Sequence, residues 1–268
     1  MSKIWNADFA KVVPEGAAGN QAQLGIFYRD FKGLIKRLTQ AEGNERSLNP
    51  EEKETNPIGQ EAPSTVIRSY SMAFDKDVII EKGEENYEFF SEFARLRPTG
   101  KNAVLETYLV DFRKEEAGEK HNRYYAEKMD ATVTVNTINE TDGIISVHFA
   151  QDGDLTIGVM ERTDTSVVDD PSTFTYGFTS SEQIAVTGIT TSLDEVEISA
   201  GEQARAAVSF SPLGCPYDFK VESDSDAVAV SRWNQSVDIK GRKAGTATVT
   251  ITSVSNPTIK ADIEVTVS

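Results

Sequence analysis

Ile184–Ser268 reads IAVTGITTSLDEVEISAGEQARAAVSFSPLGCPYDFKVESDSDAVAVSRWNQSVDIKGRKAGTATVTITSVSNPTIKADIEVTVS, and this stretch decides the fold class. Short β-rich runs alternate in polarity along it: Val196-Ile198, Ala206-Val208-Phe210, Val228-Val230, Val237-Ile239, Val249-Ile251 and Ile263-Val265-Val267. Turn clusters separate them, at Ala200-Gly201-Glu202, Ser211 to Gly214, Glu222 to Asp226, Lys243-Ala244-Gly245 and Ser255-Asn256-Pro257. No segment carries a helical period. Many short strands with turns at such spacing predict an antiparallel sandwich.

Working outward, the 268 residues predict one or two domains with enough chain for real cores. The formal charge is -16. Residues 184–268 hold 11 Asp/Glu against 7 Lys/Arg, a net of -4, which leaves -12 on the first 183 residues. A chain this acidic repels nucleic-acid phosphate and anionic membranes on average. The single cysteine, Cys215, excludes an intrachain disulfide and a cysteine metal site. The start, MSKIWNADF, has no apolar run of signal-peptide length, and no run reaches transmembrane length; both predict folding in a cytosol.

Upstream of residue 180 the organisation differs. Residues 1–23 form an arm with little periodicity. Leu24 to Leu38 reads as one or two strands meeting at an Asp30–Gly33 turn, with a short helix as the alternative. Residues 39–63, TQAEGNERSLNPEEKETNPIGQEAP, read as a long loop with three prolines and a knot of acids; connections of this length are usually functional or disordered. Strands are expected over Thr65–Phe74 and Val78–Ile80, with a turn at Asp75-Lys76-Asp77. Residues 84–97, EENYEFFSEFARLR, carry the clear helix. Phe89, Phe93 and Leu96 make its apolar stripe, acids fill its first turn, and Arg95, Arg97, Pro98 and Gly100 close it. Val104 to Phe112 is apolar on both faces, which predicts contact with a neighbour as well as with the core. Residues 113–122 form a charged hairpin tip. Further strands are read at Ala131–Ile138, Ile144–Ala150, Leu155–Val159 and around Phe174, Tyr176 and Phe178, with turns at Asn139–Gly143 and Gln151–Asp154. The chain is thus mainly β: an N-terminal α+β sandwich or barrel over 1–180 with one amphipathic helix, then a C-terminal β-sandwich over 184–268.

Catalytic signatures are missing. His121 lies in the charged tip and His148 between Val147 and Phe149, neither beside a Ser or Cys in a nucleophile setting. The sequence holds no GxGxxG, P-loop, HExxH or EF-hand loop. Asp152-Gly153-Asp154 lacks the further acids of a calcium loop and reads as a turn. No basic patch with interleaved aromatics marks specific nucleic-acid readout. Neither an enzymatic activity nor a cofactor or metal is therefore expected.

The C-terminal residues resemble bacterial Ig-like domains of the second group. The match rests on Gly188, Ser192-Leu193, Gly201-Glu202, Val208, Pro212, Ser223 to Val230 and Ala244-Gly245-Thr246; Phe219 stands where that family commonly has Trp. The whole layout, with VSFSP, SDSDAV, KAGTATVTI and ADIEVTVS in that order, resembles the major tail tube proteins of long, non-contractile-tailed (lambda-like) bacteriophages. That resemblance implies a structural virion protein, assembled in the host bacterial cytoplasm into the viral tail as stacked homo-hexameric rings. It implies tail terminator and tail-tip proteins as partners and viral DNA passing through the lumen, during ejection, without specific binding. The Ig-like domain would be displayed outside, with host-surface glycans as its implied ligands. On this reading the 39–63 loop supplies inter-ring contacts through Glu42, Pro50, Glu51, Glu52, Glu54 and Pro57. The strand Val104, Glu106, Tyr108, Val110 and Phe112 lies at a subunit interface. The alternative is a phage or cell-surface adhesion or decoration protein that binds through the Ig-like domain.

Overall fold

The structure is a computed structural model and describes residues 24–39, 41–42, 46–55, 64–81, 83–117, 121–164 and 174–268. The chain divides into two compact units between Phe178 and Thr179. The sequence-predicted arm 1–23 and Pro57 lie outside the described residues.

Among the described residues the first unit has nine strands and one α-helix. The strands are β1 (Leu24–Arg29), β2 (Ile35–Arg37), β3 (Ala41–Glu42), β4 (Arg46–Thr55), β5 (Ser64–Ile79), β6 (Val104–Glu116), β7 (Arg123–Asn139), β8 (Ile144–Arg162) and β9 (Tyr176–Ser180). The sheet runs β3-β5-β8-β7-β6-β1-β2-β9; β4 pairs with β5, and β9 returns to pair with β8. The strands β8, β7, β6, β1, β2 and β9 thereby close into a ring, while β5, β3 and β4 extend the sheet beyond it. β1 and β2 turn at Asp30, whose carboxylate accepts from the backbone N–H of Lys32 and Leu34, so two strands rather than a helix form there.

Helix α1 (Glu85–Leu96) covers one face. The Glu84 carboxylate caps it by accepting from the N–H of Asn86 and Tyr87, and Arg97 ends it in the left-handed region at φ 48°. Phe89, Phe90 and Phe93 press onto Tyr28, Phe74, Leu109, Met129, Val133, Val147 and Phe149 to form one core. A second core fills the ring: Phe27, Ile35, Tyr108, Val110, Tyr124, Ala126, Met160, Phe174 and Tyr176, one or more from each of its strands or their immediate flanks. Phe27 meets Tyr176 edge-on at 4.8 Å.

These two cores explain the doubly apolar strand. Leu105 and Leu109 of β6 face the helix, and Tyr108 and Val110 face the ring interior, both 0% exposed. The second apolar face is therefore covered within the chain itself, because the sheet curls round behind β6. β1 repeats the arrangement with Ile26 and Tyr28 on one side and Phe27 on the other.

Three segments depart from expectation. The Asp75-Lys76-Asp77 turn is continuous strand, since Asp75, Lys76 and Asp77 pair with His148, Val147 and Ser146. The Gln151–Asp154 turn is a bulge within β8, where the register shifts opposite Lys128/Asp130 and Gly153 sits at φ 89°. The 39–63 loop is ordered strand over Arg46–Thr55, laddered on β5 from Phe74 back to Ser64. Pairing across the sheet overrides local turn chemistry in all three.

The second unit packs two four-stranded sheets on one core. One sheet orders β10 (Gly188–Thr191), β12 (Gln203–Ser211), β15 (Ser236–Gly241) and β14 (Val228–Trp233). The other orders β11 (Glu195–Ile198), β17 (Lys260–Val267), β16 (Gly245–Ser253) and β13 (Phe219–Ser223). All pairs are antiparallel except β11 with β17. Val208, Val237 and Ile239 meet Val249, Ile251, Ile263 and Val265 between the sheets, the alternation that the sequence shows.

Candidate assembly interface

The β4–β5 hairpin is the site of most interest. β8 pairs with β5 only from Ala73 to Ile79, whereas β4 pairs with it from Phe74 back to Ser64. Residues 64–72 of β5 thus have one strand neighbour, β4, and β4 has no second one among the described residues. The pair forms a two-stranded arm about 30 Å long, taking about 3.4 Å per residue over Arg46–Thr55. At its root the Gln151 side-chain oxygen accepts from the Met72 N–H at 3.0 Å, satisfying the first β5 amide beyond the β5–β8 ladder.

Most of the loop residues expected to make contacts fall on this arm. Pro50, opposite Tyr70, is exposed and fits an open edge because it has no N–H to give. Glu51 and Glu52 flank a register shift, and Glu54 lies opposite Thr65. Glu42 stands apart, in β3 opposite Asp77. Leu48, which the sequence reading passed over, is 59% exposed and pairs with Met72. An isolated aliphatic residue in a polar run gave no signal; only the open ladder around it marks it out.

The strand residues Val104, Glu106, Tyr108, Val110 and Phe112 sit in the middle of the sheet, with β1 and β7 holding both edges of β6. Only Glu106 makes a polar site there. It accepts from Tyr108 Oη at 2.7 Å and Arg29 Nε at 2.9 Å, with Lys128 Nζ at 3.3 Å. Partial burial acts to raise its carboxyl pKa, but the hydrogen bonds from Tyr108 and Arg29 and the Lys128 charge outweigh it and hold the group below the usual range. Burial first, and then the bond to Glu106, push the Tyr108 hydroxyl up.

The sheet face opposite α1, beyond the closed ring, carries Asp75, Asp77, Thr132, Thr134, Ser146 and His148. His148 Nδ1 lies 2.8 Å from Asp75 Oδ1, and Ser146 Oγ donates to Asp77 Oδ1 at 2.6 Å. Among the described residues no group of three His, Cys, Asp or Glu is arranged to hold a metal. Among the described residues no helix is long and apolar enough to cross a membrane.

No protein-family model matches the chain, and no curated protein does. Among solved structures, the S-layer protein rSbsC(31-844) aligns at 11% identity and a TM-score of 0.28, over 85% of this chain. The chain spans 40% of that protein's length. A score this low carries no argument about fold or role.

Proposed function

We propose that this chain is a structural subunit that polymerises, of the kind that builds the tail tube of a long-tailed phage. The observation that carries the reading is the β4–β5 arm. Among the described residues both strands of the arm have an unpaired edge and Leu48 is exposed, a surface that suits pairing with a further strand, since open strand edges are otherwise blunted or covered. In stacked rings the arm reaches a neighbouring copy and completes its ladder there. The face opposite α1, with Asp75 and Asp77, lines the lumen, where acids repel the DNA backbone and let it slide. β6 acts as the inner support of the wall rather than as a contact. The role is mechanical, with no catalytic step.

Negative-stain microscopy of the purified chain, alone and on purified phage tail tips, tests this. Hollow tubes or six-fold rings are expected, and Leu48→Glu is expected to abolish them while the monomer melts unchanged. A chain that stays monomeric even on tail tips overturns the reading.

A further inference from the structure

β7 outlasts its neighbour β6. Their ladder ends at the Val104–Thr132 pair, while β8 stays beside β7 as far as Asn139. Residues 133–139 thus have no strand on the β6 side among the described residues, an open edge roughly 23 Å long by strand rise. The chain passes from α1 to β6 through residues 97–103 without pairing to that edge. It leaves a groove of about 540 Å³, lined by Phe93, Arg97 and Pro98 on one side and by Val133, Val135 and Ile138 on the other. Val133 and Val135 belong to the core beneath α1; Ile138, opposite Ile145, continues their row and is 51% exposed. Arg97, itself exposed, is the only charged residue lining the groove among the described ones.

We infer that this groove is the socket for the β4–β5 arm of a second copy, β4 lying along the open β7 edge with Leu48 against Ile138. The inference rests on the polymerising reading and names the surface that receives the arm. Main-chain bonding matches, since an extended segment adds readily to an exposed sheet edge. Pro50 can give no N–H to the new ladder, which therefore leans on its apolar anchor and on charge. The anchor is a pair of aliphatic side chains, Leu48 at 59% and Ile138 at 51% exposure, that water leaves together. Charge matches too. Residues 48–55 hold three acids, Glu51, Glu52 and Glu54, against Lys53, and the groove offers one cation, on a chain of -16. Topology makes the contact repeat. The β5–β8 ladder stops at Ala73 and Ala150, level with Thr132; the arm runs on from that level, and the groove runs the other way, to Asn139, on the far side of β8. A copy that has taken up one arm therefore still offers its own, a head-to-tail contact of the kind that builds rings or filaments. One arm in one groove covers less than the roughly 800 Å² a side of a stable pair, so single contacts are weak and closed assemblies strong.

The test uses the full chain carrying Leu48→Cys and Ile138→Cys together, treated with a short bis-maleimide during assembly on purified tail tips. Cys215 is buried, and the wild-type chain controls for it. A ladder of linked multimers on denaturing gels is expected from the double variant and from neither single one. Ile138→Glu should raise the concentration needed for assembly on the order of tenfold or more. Arg97→Glu should raise it severalfold at low salt, an effect that fades in high salt. Because Ile138 is half exposed, an unchanged melt of the Ile138→Glu monomer separates lost assembly from lost folding. Tubes that form from Ile138→Glu as readily as from the wild type overturn the socket and leave polymerisation standing. A wild-type chain that stays monomeric on tail tips overturns polymerisation, and the socket with it. Linkage within single chains only also overturns the socket. So does a lowered monomer melt of Ile138→Glu with assembly kept, which assigns the groove to residues 1–23 of the same chain.

Discussion

Phe90→Ala tests the packing of the first unit most directly. Phe90 is 0% exposed and its ring meets three others: Phe89 at 5.0 Å, Tyr28 at 5.3 Å and Phe149 at 6.1 Å. Removing a buried phenylalanine costs about 3–5 kcal/mol through lost transfer energy and the cavity left behind. Each well-placed ring pair adds about 0.5–1.5 kcal/mol beyond area, so the upper half of that range, about 4–5 kcal/mol, is expected. With a urea slope of about 2 kcal/mol/M, the midpoint should fall by about 2 M. Hydrogen-exchange mass spectrometry along a urea series reads the two units separately, through peptides from β6–β8 and from β16–β17. The second unit has its own core, to which α1 contributes nothing, so its midpoint should not move. A fall of less than about 0.5 M in the first unit refutes the reasoning, as does an equal fall in the second.

Two further outcomes follow from the geometry. Burial first, then the charges of Glu84, Glu85 and Asp30, raise the Tyr28 hydroxyl above its usual value; it donates to Asn86 Oδ1 at 2.9 Å. Below about pH 10 both folded and unfolded chains keep that proton and the contribution is complete. Above it the unfolded chain releases the proton while the folded one holds it, so stability should fall as pH rises. Denaturant titrations from pH 8 to 11 should show the fall, and Tyr28→Phe should flatten it while costing about 1 kcal/mol at neutral pH. In the second unit, a Cβ on Gly241 would lie 2.6 Å from the Ser199 carbonyl oxygen, a backbone atom that has little room to retreat. Gly241→Ala should therefore cost about 1–3 kcal/mol, read as a lower melting temperature for that unit alone.

The helix was legible because its signals agree: the Phe89/Phe93 stripe, the acids of the first turn and the Pro98 stop lead to Glu85–Leu96, capped by Glu84 and Arg97. The C-terminal strands were legible for a similar reason, since each alternates cleanly with one face buried; β10 and β13, without such runs, appear only in the structure. What local reading missed was set by distant partners. Lys76 lies in a turn-like tripeptide but is 4% exposed, held in strand by the ladder to β8. Arg46–Thr55 holds a proline and several acids, and only β5 makes it a strand. The ring closes through β9, far along the chain from β2, so nothing near β6 announced what its second face would meet. Of the proposed contact surface, the acidic run around Pro50 was visible in the sequence, and Leu48 was not.

The strand buried on both sides also limits how this unit can drift. Tyr108, Leu109 and Val110 address opposite interiors in strict alternation. One residue inserted ahead of Tyr108 would send the tyrosine and valine beneath the helix and the leucine into the ring, exchanging the furnishings of two rooms through their party wall. Neither room can be refitted alone. β6 therefore tolerates changes of side chain far better than changes of length, and indels in this unit should be confined to places such as the Asn139–Gly143 bend, where only one interior, or none, is at stake.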